Sequence, residues 1–93
     1  MTINSFSELP IAIFDNKGQS FDRYSVIYKN ERESSGLFAC RSMSERPMHP
    51  QGIGQMCSAA IGDHLGVPIQ FLDLPVDCRK LVLSDLQLGD GHA

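Results

Sequence analysis

Between Met43 and Cys57 the chain reads MSERPMHPQGIGQMC. Pro47 and Pro50 have no backbone N–H to give, and Gly52 and Gly54 have no side chain to pack. The stretch therefore supports neither a regular helix nor an inner strand. It reads as a long irregular loop in mid-chain that carries Arg46, His49, Gln51 and Gln55. Loops of this length in a compact domain more often bind or act than merely connect. Whatever sheet or helix the chain forms must be built from the segments on either side.

Upstream, Ile11–Phe14 is short and apolar, and Asp15-Asn16-Lys17-Gly18 follows as a turn in which Asn16 and Gly18 tolerate positive φ. Residues 23–29, RYSVIYK, set Tyr24, Val26 and Tyr28 against Arg23, Ser25, Ile27 and Lys29, the alternation of a strand. Residues 30–36, NERESSG, form a polar hairpin connection. Residues 37–43, LFACRSM, then make a second strand, with Leu37, Ala39, Arg41 and Met43 on one face and Phe38, Cys40 and Ser42 on the other. A connection this short requires the two strands to pair antiparallel.

Downstream, residues 55–61 fit either a short strand or one helical turn. Residues 67–72 read as a strand whose start is confined to a sheet edge by Pro68. The last element is a helix opened by Leu74 and Pro75, with Pro75 at the first helical position and Asp77 in the first turn. Cys78, Leu81, Val82 and Leu86 give it one apolar stripe, and Gly89 and Gly91 end it. Asp85 sits near the negative end of the helix dipole, a local conflict. The expected fold is α+β: a small antiparallel sheet of three to four strands with the C-terminal helix packed on one face. Residues 1–93 form a single domain, with 1–10 and 89–93 expected to be flexible.

Ninety-three residues, 42% of them apolar, supply one modest core and leave little room for an enclosed substrate pocket. That favours a binding surface over an enzyme. The net charge of −3 disfavours bulk attraction to nucleic acid, although a direct contact remains compatible with it. No apolar run approaches the roughly 20 residues that span a bilayer, and the opening MTINSFSELPIAIF lacks the basic and apolar regions of a signal peptide. Cys40, Cys57 and Cys78 are odd in number and unevenly spaced, which fits reduced thiols and a cytoplasmic setting.

Chemical motifs are weak. His49, Cys57, His64 and Cys78 match no common zinc spacing. Cys57 with His49 or His64 would make a nucleophile–base pair only if the fold brought them together. Gly52 and Gly54 lack the Lys-Ser/Thr of a phosphate loop. No catalytic residue, metal ligand or cofactor is assigned. The side chains expected to be free for a partner are Arg23, Glu31, Arg32, Glu33, Arg46, His49 and Gln51. For Arg23 the alternative is a structural role at the turn-to-strand junction, where Asp22 caps the turn.

Three stretches, DNKGQSFDRYSVIY (Asp15–Tyr28), MSERPMHPQGIGQ (Met43–Gln55) and HLGVPIQFLDLPVDCRKLVLSDL (His64–Leu86), resemble a family of small proteins encoded by bacteriophages and other mobile elements. The pattern has an Asn-Gly-Gly turn leading to Phe-Asp-Arg-Tyr, then Met-Ser-x-x-Pro-x-x-Pro-Gln-Gly, then a closing Leu-Pro-x-x-x-x-Lys. Here Met43, Ser44, Pro47, Pro50, Gln51 and Gly52 match the second motif and Leu74, Pro75 and Lys80 the third, while Lys17 stands where glycine is usual. The resemblance implies a non-enzymatic protein acting in the host cytoplasm. By analogy of size, source and acidity, its most concrete activity is that of an anti-CRISPR inhibitor bound to a CRISPR effector complex. Two alternatives accompany it: an accessory protein acting as a homo-oligomer through a free sheet edge, and a small metal- or cysteine-dependent enzyme.

Overall fold

The computed structural model describes residues 9–87. They form five strands and one helix: β1 (Ile11–Asp15), β2 (Tyr24–Arg32), β3 (Phe38–Met43), β4 (Gly54–Ala59), β5 (Val67–Ile69) and α1 (Val76–Asp85). Single 3₁₀ turns lie at Asp63–Leu65 and Phe71–Asp73. The strands make one antiparallel sheet in the order β4-β3-β2-β1-β5. The class is the expected α+β, with five strands rather than three to four. The extra strand is β4: small, polar, mostly exposed residues carry little periodic signal, and only pairing with β3 fixes them as a strand.

Alternation along the strands splits the interior into two layers. Ile13, Tyr24, Val26, Tyr28 and Met43 face α1 and bury against Leu74, Cys78 and Val82. Phe14, Ile27 and Cys40 point the other way, where Ala12, Phe38, Ala59 and Leu65 cover them. Both faces of the central strands are thus apolar, and Val26 and Ile27 are each fully enclosed. Leu65 belongs to the connection 60–66, which joins β4 at one edge to β5 at the other. The connection crosses the sheet diagonally, from the Phe38 end of β3 to the Asp15 end of β1, and includes the 3₁₀ turn at Asp63–Leu65. It enters β5 through Gly66 at φ 121°, where an added Cβ would lie 2.3 Å from the Asp15 carbonyl oxygen.

The helix stripe is as read from the sequence. Cys78 and Val82 are buried, and Leu81 and Leu86 pack against them. Pro75 is the N-cap rather than the first helical residue, and its carbonyl accepts from the Arg79 N–H at 3.0 Å. The helix gives way at Gln87, which has φ 59°; Gly89 and Gly91 lie outside the described residues. The conflict at Asp85 is resolved by the sheet. Arg41 on β3 donates to both carboxylate oxygens, at 2.6 and 2.7 Å, and the buried Tyr28 hydroxyl donates to the same carboxylate. Burial, followed by this bond, pushes the Tyr28 phenol well above its usual range. An ion pair with 15% and 17% side-chain exposure outweighs an unfavourable dipole interaction of about 0.3–1 kcal/mol.

At the other terminus Leu9 is 5% exposed and joins the main core, so it is no loose extension. The expected flexibility of residues 1–8 and 89–93 lies outside the described residues.

Candidate recognition groove

Two connections meet at the end of the sheet marked by Tyr24 and Met43. One is the β1–β2 turn, 16–23. The other is the proline–glycine loop, 44–53. Between them lies an open groove of about 600 Å³, lined on one side by Gly18, Gln19, Ser20 and Phe21 and on the other by Ser44, Glu45, Arg46, His49, Gln51 and Gly52.

Each wall is held by its own hydrogen bonds. Asn16 organises the turn: its side-chain oxygen accepts from the N–H groups of Gly18 and Gln19, and its amide donates to Ser20 Oγ and the Asp22 carbonyl. Asn16 thus supplies the cap expected from Asp22. Lys17, not Asn16, takes the positive φ, at 62°. The opposite loop is closed at its base by Ser44. The Ser44 N–H donates to the Ile53 carbonyl at 2.8 Å, and Ser44 Oγ accepts from the Ile53 N–H at 3.0 Å. Within the loop, His49 N–H reaches the Arg46 carbonyl and Gly52 N–H the His49 carbonyl. The Gln51 N–H donates to His49 Nδ1 at 3.1 Å, which makes Nδ1 the acceptor and leaves the Nε2 edge for a ligand. Gly52 is required by close approach, because a Cβ there would stand 2.0 Å from the Arg46 carbonyl oxygen.

Arg23 braces one wall against the other. Its guanidinium binds both Asp15 oxygens, at 2.7 and 3.0 Å, and reaches Glu45 Oε2 at 3.0 Å, while lying 5.2 Å from the centre of the Tyr24 ring. The Arg23 bond holds the Asp15 carboxyl below its usual range against the opposing effect of burial. Of the two readings of Arg23, the geometry favours the structural one. Three of its donors are engaged inside the protein, where they tie the two walls of the groove together.

The seven expected contact residues do not form one surface. Arg46, His49 and Gln51 line the groove and are exposed. Glu31, Arg32 and Glu33 lie at the far tip of the β2–β3 hairpin, at the opposite end of the sheet. There Arg32 stacks 5.7 Å from the Phe38 ring and Glu33 accepts from Ser58 Oγ at 2.6 Å. Sequence reasoning missed Phe21, which lines the groove with 63% of its surface exposed, and Met48, 54% exposed in the 44–53 loop, where it lines a separate depression with Pro75, Val76 and Asp77. The available signal was an aromatic residue set between Ser20 and Asp22, outside any alternating run. A large apolar side chain held outside the core is the kind of anchor that dominates binding energy.

The fold separates some of the residues named for the enzymatic alternatives and joins others. Cys78 is buried under the helix and His49 lines the first groove, whereas Cys57 and His64 both line a second groove on the sheet face away from α1, so of the two nucleophile–base pairings Cys57–His64 shares a surface and Cys57–His49 does not. Among the described residues no three His, Cys, Asp or Glu side chains gather where a metal ion could be held. Among the same residues, no helix is long and apolar enough to cross a membrane. Comparison with known protein families, with characterised proteins and with solved structures found no match to this chain.

Proposed function

We propose that this chain is a non-enzymatic binding protein that grips a host macromolecular complex through the groove between residues 16–23 and 44–53. Its most concrete partner is a CRISPR effector complex, whose blockade would make the chain an anti-CRISPR inhibitor. The observation that carries the binding reading is the pairing of an exposed anchor, Phe21, with loop side chains on a backbone already fixed by Asn16, Ser44 and the Arg23 brace. A wall ordered beforehand loses little entropy on association. The choice of partner rests on analogy of size, acidity and the phage source that the resemblance implies.

The test is capture of the effector complex by tagged protein, alongside phage survival under interference. Wild-type protein should retain effector subunits and protect the phage. Phe21→Ala and Arg46→Ala, both at exposed positions, should fold normally and lose both effects. Wild-type protein that neither retains an effector subunit nor protects phage refutes the inhibitor reading. Intact capture by both variants refutes the groove.

The homo-oligomer reading is favoured by one feature, the β4 edge. It carries no charge and no proline, and it pairs with β3 in unbroken register. By contrast β5 is three residues long and contains Pro68. Sheet edges are normally guarded by such devices, and β4 has none of them. Light scattering after size exclusion discriminates, since a monomer at every concentration removes this reading.

A further inference from the structure

Cys40 and Cys57 are direct cross-strand partners in the β3–β4 ladder. Both side chains stand on the sheet face away from α1, and both line the second groove, with Ser42 and His64. Opposed residues of an antiparallel pair have Cα atoms about 4.5–5.5 Å apart, inside the window that a disulfide requires. The Cys57 thiol is near enough to add to the rise that burial imposes on the Cys40 thiol, and Ser42 Oγ lies 3.4 Å from Cys57 Sγ. Cys57 is exposed on a strand whose outer side is unpaired, while Cys40 is 1% exposed. One thiol can therefore meet a reagent from solvent, the other waits directly behind it, and the edge strand is free to make the small shift that bonding needs.

We propose that Cys57 and Cys40 form a peroxide-reactive dithiol, in which Cys57 is the peroxidatic and Cys40 the resolving sulfur. The Cys57 sulfur attacks one oxygen of hydrogen peroxide. The O–O bond breaks, Cys57 becomes a sulfenic acid and one water leaves. The Cys40 sulfur then attacks the Cys57 sulfur, the S–O bond breaks, and the hydroxyl departs with the Cys40 proton as a second water. Two thiols and one peroxide thus give one disulfide and two waters. Burial pushes the Cys40 thiol up to about 12, so it enters the second step as the thiol whose proton leaves with the hydroxyl. The product closes a ring across residues 41–56, which contains the whole 44–53 wall of the recognition groove. Oxidation thus restrains that loop without touching Arg46, His49 or Gln51. This inference is independent of the partner proposed above.

The test is treatment of the reduced, purified chain with a small molar excess of hydrogen peroxide, followed by alkylation under denaturing conditions and peptide mass mapping. The expected result is a fall in alkylatable thiols from the three cysteines of the chain to one, assigned to Cys78. A Cys40–Cys57 linked peptide should appear, with the monomer retained on a non-reducing gel, and dithiothreitol should reverse the change. Cys57→Ser should abolish the linkage and leave Cys40 alkylatable. Three unreacted thiols overturn the proposal. So does a singly oxidised Cys57 with Cys40 still free, or a Cys57–Cys57 dimer between two chains. Each is read from the wild-type protein without depending on how a variant folds.

Discussion

Replacing Asp85 with alanine should be among the most damaging single changes to this domain. The carboxylate accepts two bonds from Arg41 and one from Tyr28, tying the last turn of α1 to the two central strands it crosses. Removing one member of a fully buried ion pair costs about 3–5 kcal/mol, because the partner charge is left without compensation. Here the side chains keep 15% and 17% exposure, so water relieves part of that cost. Relief of the unfavourable dipole contact returns a further 0.3–1 kcal/mol or so. The expected net loss is about 3 kcal/mol, a large share of the roughly 5–15 kcal/mol typical of a small domain. It corresponds to a fall in Tm of roughly 12–24 °C for a chain of this size. Urea unfolding of wild type, Asp85→Ala, Arg41→Met and the double variant measures it. The cycle should give a coupling energy above about 1 kcal/mol. A loss below about 1 kcal/mol for Asp85→Ala, with additive single effects, would refute the account of how the helix is held to the sheet.

Gly52→Ala should open the 44–53 loop, since its methyl would meet the Arg46 carbonyl oxygen at 2.0 Å; we expect about 1–3 kcal/mol of destabilisation in denaturant and loss of partner binding. Acid should expose the Asp15–Arg23 brace. The Asp15 pKa is lowered on folding, so its contribution is full above the ordinary carboxyl value of 3.8 and is lost as pH falls below it; in a pH series of urea midpoints, Asp15→Asn should flatten that acid limb. In alkali, burial raises both phenols above 10.0, so a native sample at that pH should show little phenolate absorbance. For Tyr28 the raised native value means that stability is full below 10.0 and declines above it, and Tyr28→Phe should remove that decline in alkaline melts.

How much could be read in advance depended on whether the signal was local. The alternation in residues 23–29 and 37–43 gave β2 and β3 and their opposite faces, because burial on each side imposes a two-residue period. The stripe of Cys78, Leu81, Val82 and Leu86 gave the helix in the same way. The loop was legible because Pro47 and Pro50 exclude alternatives and Gly52 admits the Arg46 carbonyl. The rest depends on partners distant in sequence. Arg41 meets Asp85 across 44 positions, so the acid at the helix end read as a conflict. Arg23 reads as a free cation until Glu45 and Asp15 are placed around it. The hairpin-tip charges read as companions of the loop until the strand lengths set them at opposite ends. Phe21 was hidden for a different reason: an exposed aromatic in a turn obeys no periodicity, and only its absence from the core distinguishes it.

The strap from β4 to β5 has a mechanical consequence. Because it joins the two rims directly, they are leashed to each other. If β4 peels from β3, the pull passes through Leu65 and Gly66 to β5 at the far side. The rims should then loosen as one unit, with amide protons at Gly54–Ala59 and Val67–Ile69 exchanging in concert while those of β2 stay shielded. A clip placed on one rim would steady the other.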